Sequence, residues 1–149
     1  MTATDTYDEI IMEHIRSARN YRAPKRPQLE AKGSNPLCGD EMVLYLEFRR
    51  GRIEDIAFQC TCCGISMASA SIMTELLQGG NPAEAKGLIR AFLALLDGRD
   101  DSGVAGPTAE QEAILATVRK FPSRARCAAL PWTTLDSILE EPAAARRAR

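Results

Sequence analysis

The sequence predicts an α+β domain in which a small, hairpin-based antiparallel sheet packs against several helices. The hairpin is indicated by two alternating, strand-like stretches, 42–48 and 53–60, with Gly51 in the short turn between them. Helical periodicity and helix caps then dominate the remainder of the chain. Strands followed by a run of helices are typical of an α+β fold rather than of alternating βαβ units.

Two predicted elements precede the hairpin. Residues 6–19 favour a first helix, because Thr6 and Glu9 form a capping-box pattern and the apolar positions fall on one face. His14, the only histidine, lies on that face, where a core or capping role is more common than metal ligation. Residues 21–35 are basic and contain two prolines, so they are predicted to form a loop or irregular arm.

Four helices are predicted after the hairpin. The first covers residues 66–77 and stops before Gly79 and Gly80. The second opens with Asn81 as cap and Pro82 at the first helical position. Thr108 with Gln111 caps the third, after a polar loop at 99–107, and the last helix runs from about Cys127 to residue 139.

Composition bounds the class of protein. The chain has 149 residues, enough for one domain with its own core, and we assign 1–149 to a single domain with disordered tails at 1–5 and 142–149. The net charge of -1 indicates no nucleic-acid partner. Five cysteines and no signal-like or membrane-spanning stretch predict a cytoplasmic protein with free or metal-bound thiols and no membrane partner.

The cysteines are placed where thiols are reactive. Three of them fall within residues 60–63, at a strand-to-helix turn where the positive helix end favours the thiolate. In an antiparallel hairpin this turn meets the turn holding Cys38 at the same end of the sheet. Three separated sulfurs, Cys38, Cys63 and Cys127, with an oxygen from Asp40, suit a four-coordinate zinc site. The alternative is that any one of the cysteines is a small buried hydrophobe.

Two other cysteine chemistries fit less well. Cys60 and Cys63 have the spacing of a zinc-ribbon knuckle, but the sequence has no second pair of this kind. A thioredoxin-like dithiol at the same pair would need a βαβ context, which the predicted order of elements does not supply. Neither reading is therefore retained.

Three motifs in one order carry a family resemblance. They are Asn-Pro-Leu-Cys-Gly-Asp at 35–40, Cys-Gly-Ile-Ser-Met-Ala-Ser-Ala-Ser-Ile-Met-Thr at 63–74, and Phe-Pro-Ser-Arg-Ala-Arg-Cys-Ala-Ala-Leu-Pro-Trp at 121–132. Together they resemble the U-type iron-sulfur assembly proteins, and within them the SufU branch. The resemblance implies a compact α+β domain that binds zinc through three cysteines and an aspartate. It also implies a SufS-type cysteine desulfurase as sulfur donor, and downstream iron-sulfur assembly machinery as further partner.

Matching by motif places the zinc ligands at Cys38, Asp40, Cys63 and Cys127. The same matching makes Cys38 the sulfur acceptor and places Arg124 near the site, where a guanidinium would stabilise the negative ligand set or hold a displaced ligand. The implied function is a zinc-dependent sulfurtransferase.

Two departures and two alternatives accompany this prediction. Arg126 stands where the scaffold branch of the family has a histidine, and Cys60 and Cys62 are not positions of family cysteines. The first alternative is a scaffold that binds iron or a transient iron-sulfur cluster through the same cysteines. The second is a structural zinc module without sulfur chemistry.

Overall fold

A computed structural model describes residues 3–37, 39–99 and 106–139, with side chains from residue 6 onward. Its elements are α1 (Ala3–Arg16), β1 (Leu29–Asn35), β2 (Asp40–Arg49), β3 (Arg52–Thr61), α2 (Gly64–Leu77), α3 (Pro82–Leu96), α4 (Ala109–Lys120), a 3-10 turn (Pro122–Arg124) and α5 (Ala125–Leu139). Three antiparallel strands in the order β1-β2-β3 pack against these helices. The predicted α+β class is confirmed.

The predicted hairpin is β2 and β3. Glu41 at the start of β2 pairs with Thr61 at the end of β3, and Arg49 pairs with Arg52 across the turn. Gly51 has a φ of 75°, a left-handed conformation that glycine adopts without steric cost. Asp40, the first residue of β2, and the beginning of α2 therefore lie at the same end of the sheet, as the antiparallel register requires.

The prediction of a loop over residues 21–35 is wrong for its last part. Leu29–Asn35 forms β1, which pairs with β2 from Leu29 opposite Leu46 to Asn35 opposite Asp40. This strand has few β-branched or aromatic residues, so its local signal is weak. Packing supports it instead: a Cβ at Gly33 would collide with Thr134 Oγ1, so glycine lets α5 lie close against the strand.

The first helix is shifted relative to its prediction. α1 spans Ala3–Arg16, so Thr6 lies inside the helix rather than capping it, and the helix ends before Arg19. Asn20 has a φ of 62°, and its carbonyl accepts a hydrogen bond from Phe58 N at 3.0 Å. The chain has left the helix at this point and is hydrogen-bonded to β3 instead. The predicted tails, 1–5 and 142–149, lie outside the described residues except for the backbone of 3–5, which belongs to α1.

Helix α2 is the centre of the core. Ten of its 14 residues are buried, including Ser66, Ser69 and Ser71. Buried hydroxyls need partners, and Ser69 Oγ donates to the Ala128 carbonyl at 2.6 Å while accepting from Trp132 Nε1 at 2.8 Å. These bonds hold α5 against α2. They also keep the N-terminal ends of the two helices close together.

His14 is a core residue, as predicted. It is 4% exposed, and its Nδ1 lies 2.7 Å from Ser71 Oγ. The capping predictions for α3 and α4 are also confirmed, because Asn81 Oδ1 accepts from Ala83 N and Glu84 N, and Thr108 with Gln111 forms a capping box. Across the described residues, no helix combines the length and apolarity needed to cross a membrane.

Candidate metal centre

Three predicted ligands meet at one end of the sheet. Asp40 opens β2, Cys63 is the N-cap residue of α2, and Cys127 lies in the first turn of α5. One carboxylate oxygen and the two sulfurs all lie within 4.8 Å of one another. The fourth predicted ligand, Cys38, lies outside the described residues, two positions along the chain from Asp40.

Asp40 is the centre of the hydrogen bonding in this group. The residue is 4% exposed, and its Oδ1 accepts from the main-chain N–H of Cys63 at 3.0 Å. Its Oδ2 accepts from Ser66 Oγ at 2.8 Å and lies 3.4 Å from Cys63 Sγ. A buried carboxylate is costly unless its oxygens are bonded, and these contacts bond both of them.

Two further residues contact this group, and neither was predicted as a site residue. Ser66 Oγ lies 2.9 Å from the Cys127 carbonyl as well as near Asp40, and its single proton serves one of these acceptors at a time. Asn35 Nδ2 donates to Cys127 Sγ at 3.8 Å. Both residues lie in the quoted motifs, and Ser66 follows Cys63 by about one helical turn, a spacing that places the two side chains on one face.

The donor set fits a zinc ion. Zinc–sulfur bonds of about 2.3 Å in a tetrahedron separate neighbouring ligand atoms by about 3.8 Å. The Cys63 Sγ to Asp40 Oδ2 distance of 3.4 Å and the overall limit of 4.8 Å lie around that value. Small side-chain shifts would therefore bring two thiolates and one carboxylate onto one ion, leaving one tetrahedral position for a further ligand.

The N-terminus of α2 contributes to the electrostatics of the site. Cys63 is half-buried and has an extended backbone (φ -72°, ψ 166°), and its side chain makes no capping hydrogen bond. The helix dipole places positive potential at this end, beside the Cys63 sulfur. The same potential favours the negative charge of Asp40, which is bonded to the Cys63 N–H.

Arg124, which the resemblance places near the site, lines a cavity that Cys127 also lines. It ends the 3-10 turn, and this cavity of about 590 Å³ is also lined by Asn35, Leu37 and Arg126. Arg124 and Arg126 are both exposed. Two guanidinium groups therefore line a cavity that reaches one of the candidate ligands.

Cys60 and Cys62 are not part of the ligand group. They form a disulfide with their Cα atoms 5.4 Å apart, whereas the free thiols of the described residues belong to Cys63 and Cys127. The expectation of free or metal-bound thiols is therefore wrong for this pair. The Cα separation of 5.4 Å lies within the range that a disulfide needs.

With this geometry established, comparison with known proteins assigns the family. A family model described as the NifU-like N terminal domain matches residues 6–128. The chain belongs to this family. The SufU protein of Bacillus subtilis, named a zinc-dependent sulfurtransferase, is 35% identical over 132 residues, covering 87% of this chain and 86% of SufU. An iron-sulfur cluster assembly scaffold protein IscU from Streptococcus pyogenes is 36% identical over 113 residues, covering 76% of this chain and 70% of IscU.

Solved structures of the family have the same fold. FiSufU from Fervidobacterium islandicum AW-1 superposes with a TM-score of 0.77 at 30% identity, covering 89% of this chain and 95% of FiSufU. The N-terminal part of a NifU-like protein from Brucella abortus gives a TM-score of 0.74 at 22% identity, covering 91% of this chain and 94% of that one. The second likeness concerns the fold alone.

Proposed function

We propose that this protein is a zinc-dependent sulfur acceptor of iron-sulfur cluster assembly, which receives persulfide sulfur from a SufS-type cysteine desulfurase through Cys38. The observation that carries the proposal is the convergence of Asp40, Cys63 and Cys127 within 4.8 Å. It occurs in a chain that is 35% identical to a protein named a zinc-dependent sulfurtransferase.

Asp40, Cys63 and Cys127 hold the zinc in this proposal, and Cys38 is the fourth ligand. The ion, when bound, keeps its thiol ligands deprotonated at neutral pH. Three thiolates and a carboxylate around a divalent cation leave a net charge of about -2. Arg124 lines the cavity beside Cys127 and offsets part of this charge.

The transfer itself needs no oxidant. The Cys38 thiolate attacks the outer sulfur of the desulfurase persulfide, a new S–S bond forms on Cys38, and the desulfurase cysteine leaves as a thiolate. The number of S–S bonds is unchanged, so the step is an exchange. The persulfide sulfur then passes to the downstream assembly machinery.

Exposed apolar side chains near the cavity support docking of a protein partner. Leu37 lines the cavity and is 76% exposed, and Phe121, which precedes the 3-10 turn, is 58% exposed. Large exposed apolar groups beside a polar site are typical of interaction surfaces. We propose that the desulfurase docks here, in the cytoplasm, a compartment in which the free thiols of Cys63 and Cys127 remain reduced.

The test is desulfurase turnover. With a reductant present, the wild-type protein should raise the rate of alanine formation from cysteine, and Cys38→Ser should abolish this stimulation while still binding the desulfurase. Retained binding separates lost chemistry from lost docking. Full stimulation by Cys38→Ser would move the acceptor role elsewhere. A wild-type protein that binds zinc but gives no stimulation would favour a structural zinc module.

The second candidate is a scaffold that carries iron or an iron-sulfur cluster on the same residues. The 36% identity to a protein named an IscU scaffold favours it. Asp40 weighs against it, because a hard carboxylate oxygen suits an iron-sulfur cluster less well than thiolate does. Arg126 weighs against it too, because a guanidinium cannot donate a lone pair to iron.

A further inference from the structure

The Cys60–Cys62 pair lies next to the metal centre, yet the proposed function makes no use of it. Cys60 is the penultimate residue of β3, and Cys62 directly precedes Cys63, whose sulfur is 3.4 Å from Asp40 Oδ2. Both cysteines are half-buried. A dithiol at this position is close in the chain to the sulfur chemistry of the site.

A structural role does not account for the bond. A disulfide stabilises mainly by closing a loop in the unfolded chain, and this one encloses a single residue, Thr61. The fold already has a continuous apolar core that includes Met42, Phe58 and Trp132. The bond is therefore better explained by its chemistry than by stability.

The two cysteines are held differently by the backbone. Cys60 pairs with Met42 in the sheet, and its carbonyl accepts a hydrogen bond from Tyr21 Oη at 3.1 Å. Cys62 stands after the last residue of β3 and before the first residue of α2. When the bond is reduced, the anchored strand and the helix start still hold the thiols near each other, so the bond can close again without refolding.

Small molecules have room to approach Cys60. A cavity of about 630 Å³ opens beside Cys60 and is also lined by Tyr21, Lys32 and Gln59. Lys32 and Gln59 are exposed polar residues on its wall. A low-molecular-weight persulfide fits a cavity of this size.

We propose that Cys60 and Cys62 form a redox-active dithiol that reduces persulfide sulfur to sulfide beside the metal centre. This deepens the proposed function and rests on it for the biological source of the persulfide. One thiolate of the pair attacks the outer sulfur of a persulfide R–S–SH, so that RS⁻ leaves and the pair carries the persulfide. The second thiolate attacks the carbon-bound sulfur of that persulfide, hydrosulfide leaves, and the Cys60–Cys62 bond forms.

The electrons and atoms of this sequence balance. R–S–SH and two thiols become R–SH, hydrogen sulfide and one disulfide. The sulfane sulfur gains two electrons, and the dithiol loses them. An external dithiol reductant then restores both thiols by thiol–disulfide exchange.

The experiment uses the metal-free, full-length chain in a Cys38→Ser background, with glutathione persulfide as the probe. Neither the desulfurase nor Cys38 takes part, so failure of the proposed function does not decide the result. The protein is reduced, freed of reductant and mixed with the probe, and sulfide and free glutathione are measured. The matched variants add Cys60→Ser or Cys62→Ser, and all three proteins keep Cys63 and Cys127.

With Cys60 and Cys62 intact, we expect about one more sulfide per chain than in either variant, because one dithiol supplies two electrons. We also expect mass spectrometry to find the Cys60–Cys62 disulfide in the product. The variant that keeps the attacking thiol should still release glutathione and gain the mass of one sulfur atom, whereas the other variant should not. This difference identifies the attacking thiol. Equal sulfide release from all three proteins, or a product without the disulfide, would overturn the proposal.

Discussion

The main-chain N–H of Cys63 donates to Asp40 Oδ1 at 3.0 Å, although the two residues are 23 positions apart. This bond joins the start of β2 to the first residue before α2. Asp40 Oδ2 is thereby turned toward Cys63 Sγ and Ser66 Oγ. The carboxylate thus holds the helix end in place and also presents an oxygen to the candidate metal centre.

The ligand assignment predicts the metal content of two variants. Cys63→Ala and Cys127→Ala should each fall from about one zinc per chain to a small fraction, because removing one of four ligands leaves an open, weaker site. The measurement is zinc per chain after dialysis against a chelator. The control is the double variant Cys60→Ala, Cys62→Ala, which should keep its zinc. Unchanged zinc in both single variants would contradict the assignment.

Ser66 and Ser69 lie one turn apart on α2 and give a matched pair of variants. Ser66 Oγ bonds the Asp40 carboxylate, whereas Ser69 Oγ bonds Trp132 Nε1 and the Ala128 carbonyl and not Asp40. Each Ser→Ala change should lower the free energy of unfolding by about 1–3 kcal/mol, because it leaves buried partners unsatisfied. Only Ser66→Ala should also weaken zinc binding, by about 10–100-fold, through the freed Asp40 carboxylate.

These two readouts come from chemical denaturation and from zinc competition with a chromogenic chelator. Equal zinc affinities in the two variants would show that the Ser66 hydroxyl does not support the metal ligands. A large loss of zinc in Ser69→Ala would point instead to a general loosening of the contact between α2 and α5.

His14 predicts a pH dependence of stability. Burial lowers the pKa of this imidazole, and the charge of Arg19 lowers it further. The folded state therefore binds the proton less readily than the unfolded state, whose histidine has a pKa of about 6.5. The contribution of neutral His14 to the free energy of unfolding is fully present above that pH. It is lost as the pH falls from about 6.5 toward the lower, folded-state pKa.

The measurement is the free energy of unfolding at pH about 7.5 and about 5.5, with a chelator present so that metal binding does not contribute. The wild type should lose stability over this interval, and His14→Asn, which keeps a polar group near Ser71, should lose less. Equal losses in the two proteins would assign the pH dependence to other groups.

Arg126 predicts the outcome of cluster reconstitution. Adding iron and sulfide to the zinc-loaded protein should give little stable cluster, and Arg126→His should not change this, because Asp40 still supplies a hard oxygen ligand. Arg126 is exposed on the wall of the cavity that Cys127 also lines. Visible absorption with iron and sulfide analysis gives the cluster content. A stoichiometric, transferable cluster on the unmodified protein would make the scaffold the better reading.

Local signals were sufficient for much of the fold. Asn81 and Thr108 begin helices because their side chains bond the N–H groups of the next turn, an interaction within four residues. The hairpin turn at Gly51 is equally local. Asp40, Cys63 and Cys127 are predicted as ligands from residue type and motif, and an antiparallel register brings the first two to one end of the sheet.

Other features depend on contacts between residues far apart in the chain, which local patterns do not encode. Strand β1 forms because β2 supplies hydrogen-bond partners and because Gly33 leaves room for α5. Asn35 is hydrogen-bonded to the Cys127 sulfur although the two residues are 92 positions apart. Ser66 is hydrogen-bonded to the Cys127 carbonyl across 61 positions. The sequence by itself determined which residue types can bind zinc and where most helices begin. Only the tertiary structure decided which hydroxyl and amide contact the predicted ligands, because the packing of α5 on α2 and β1 sets these distances.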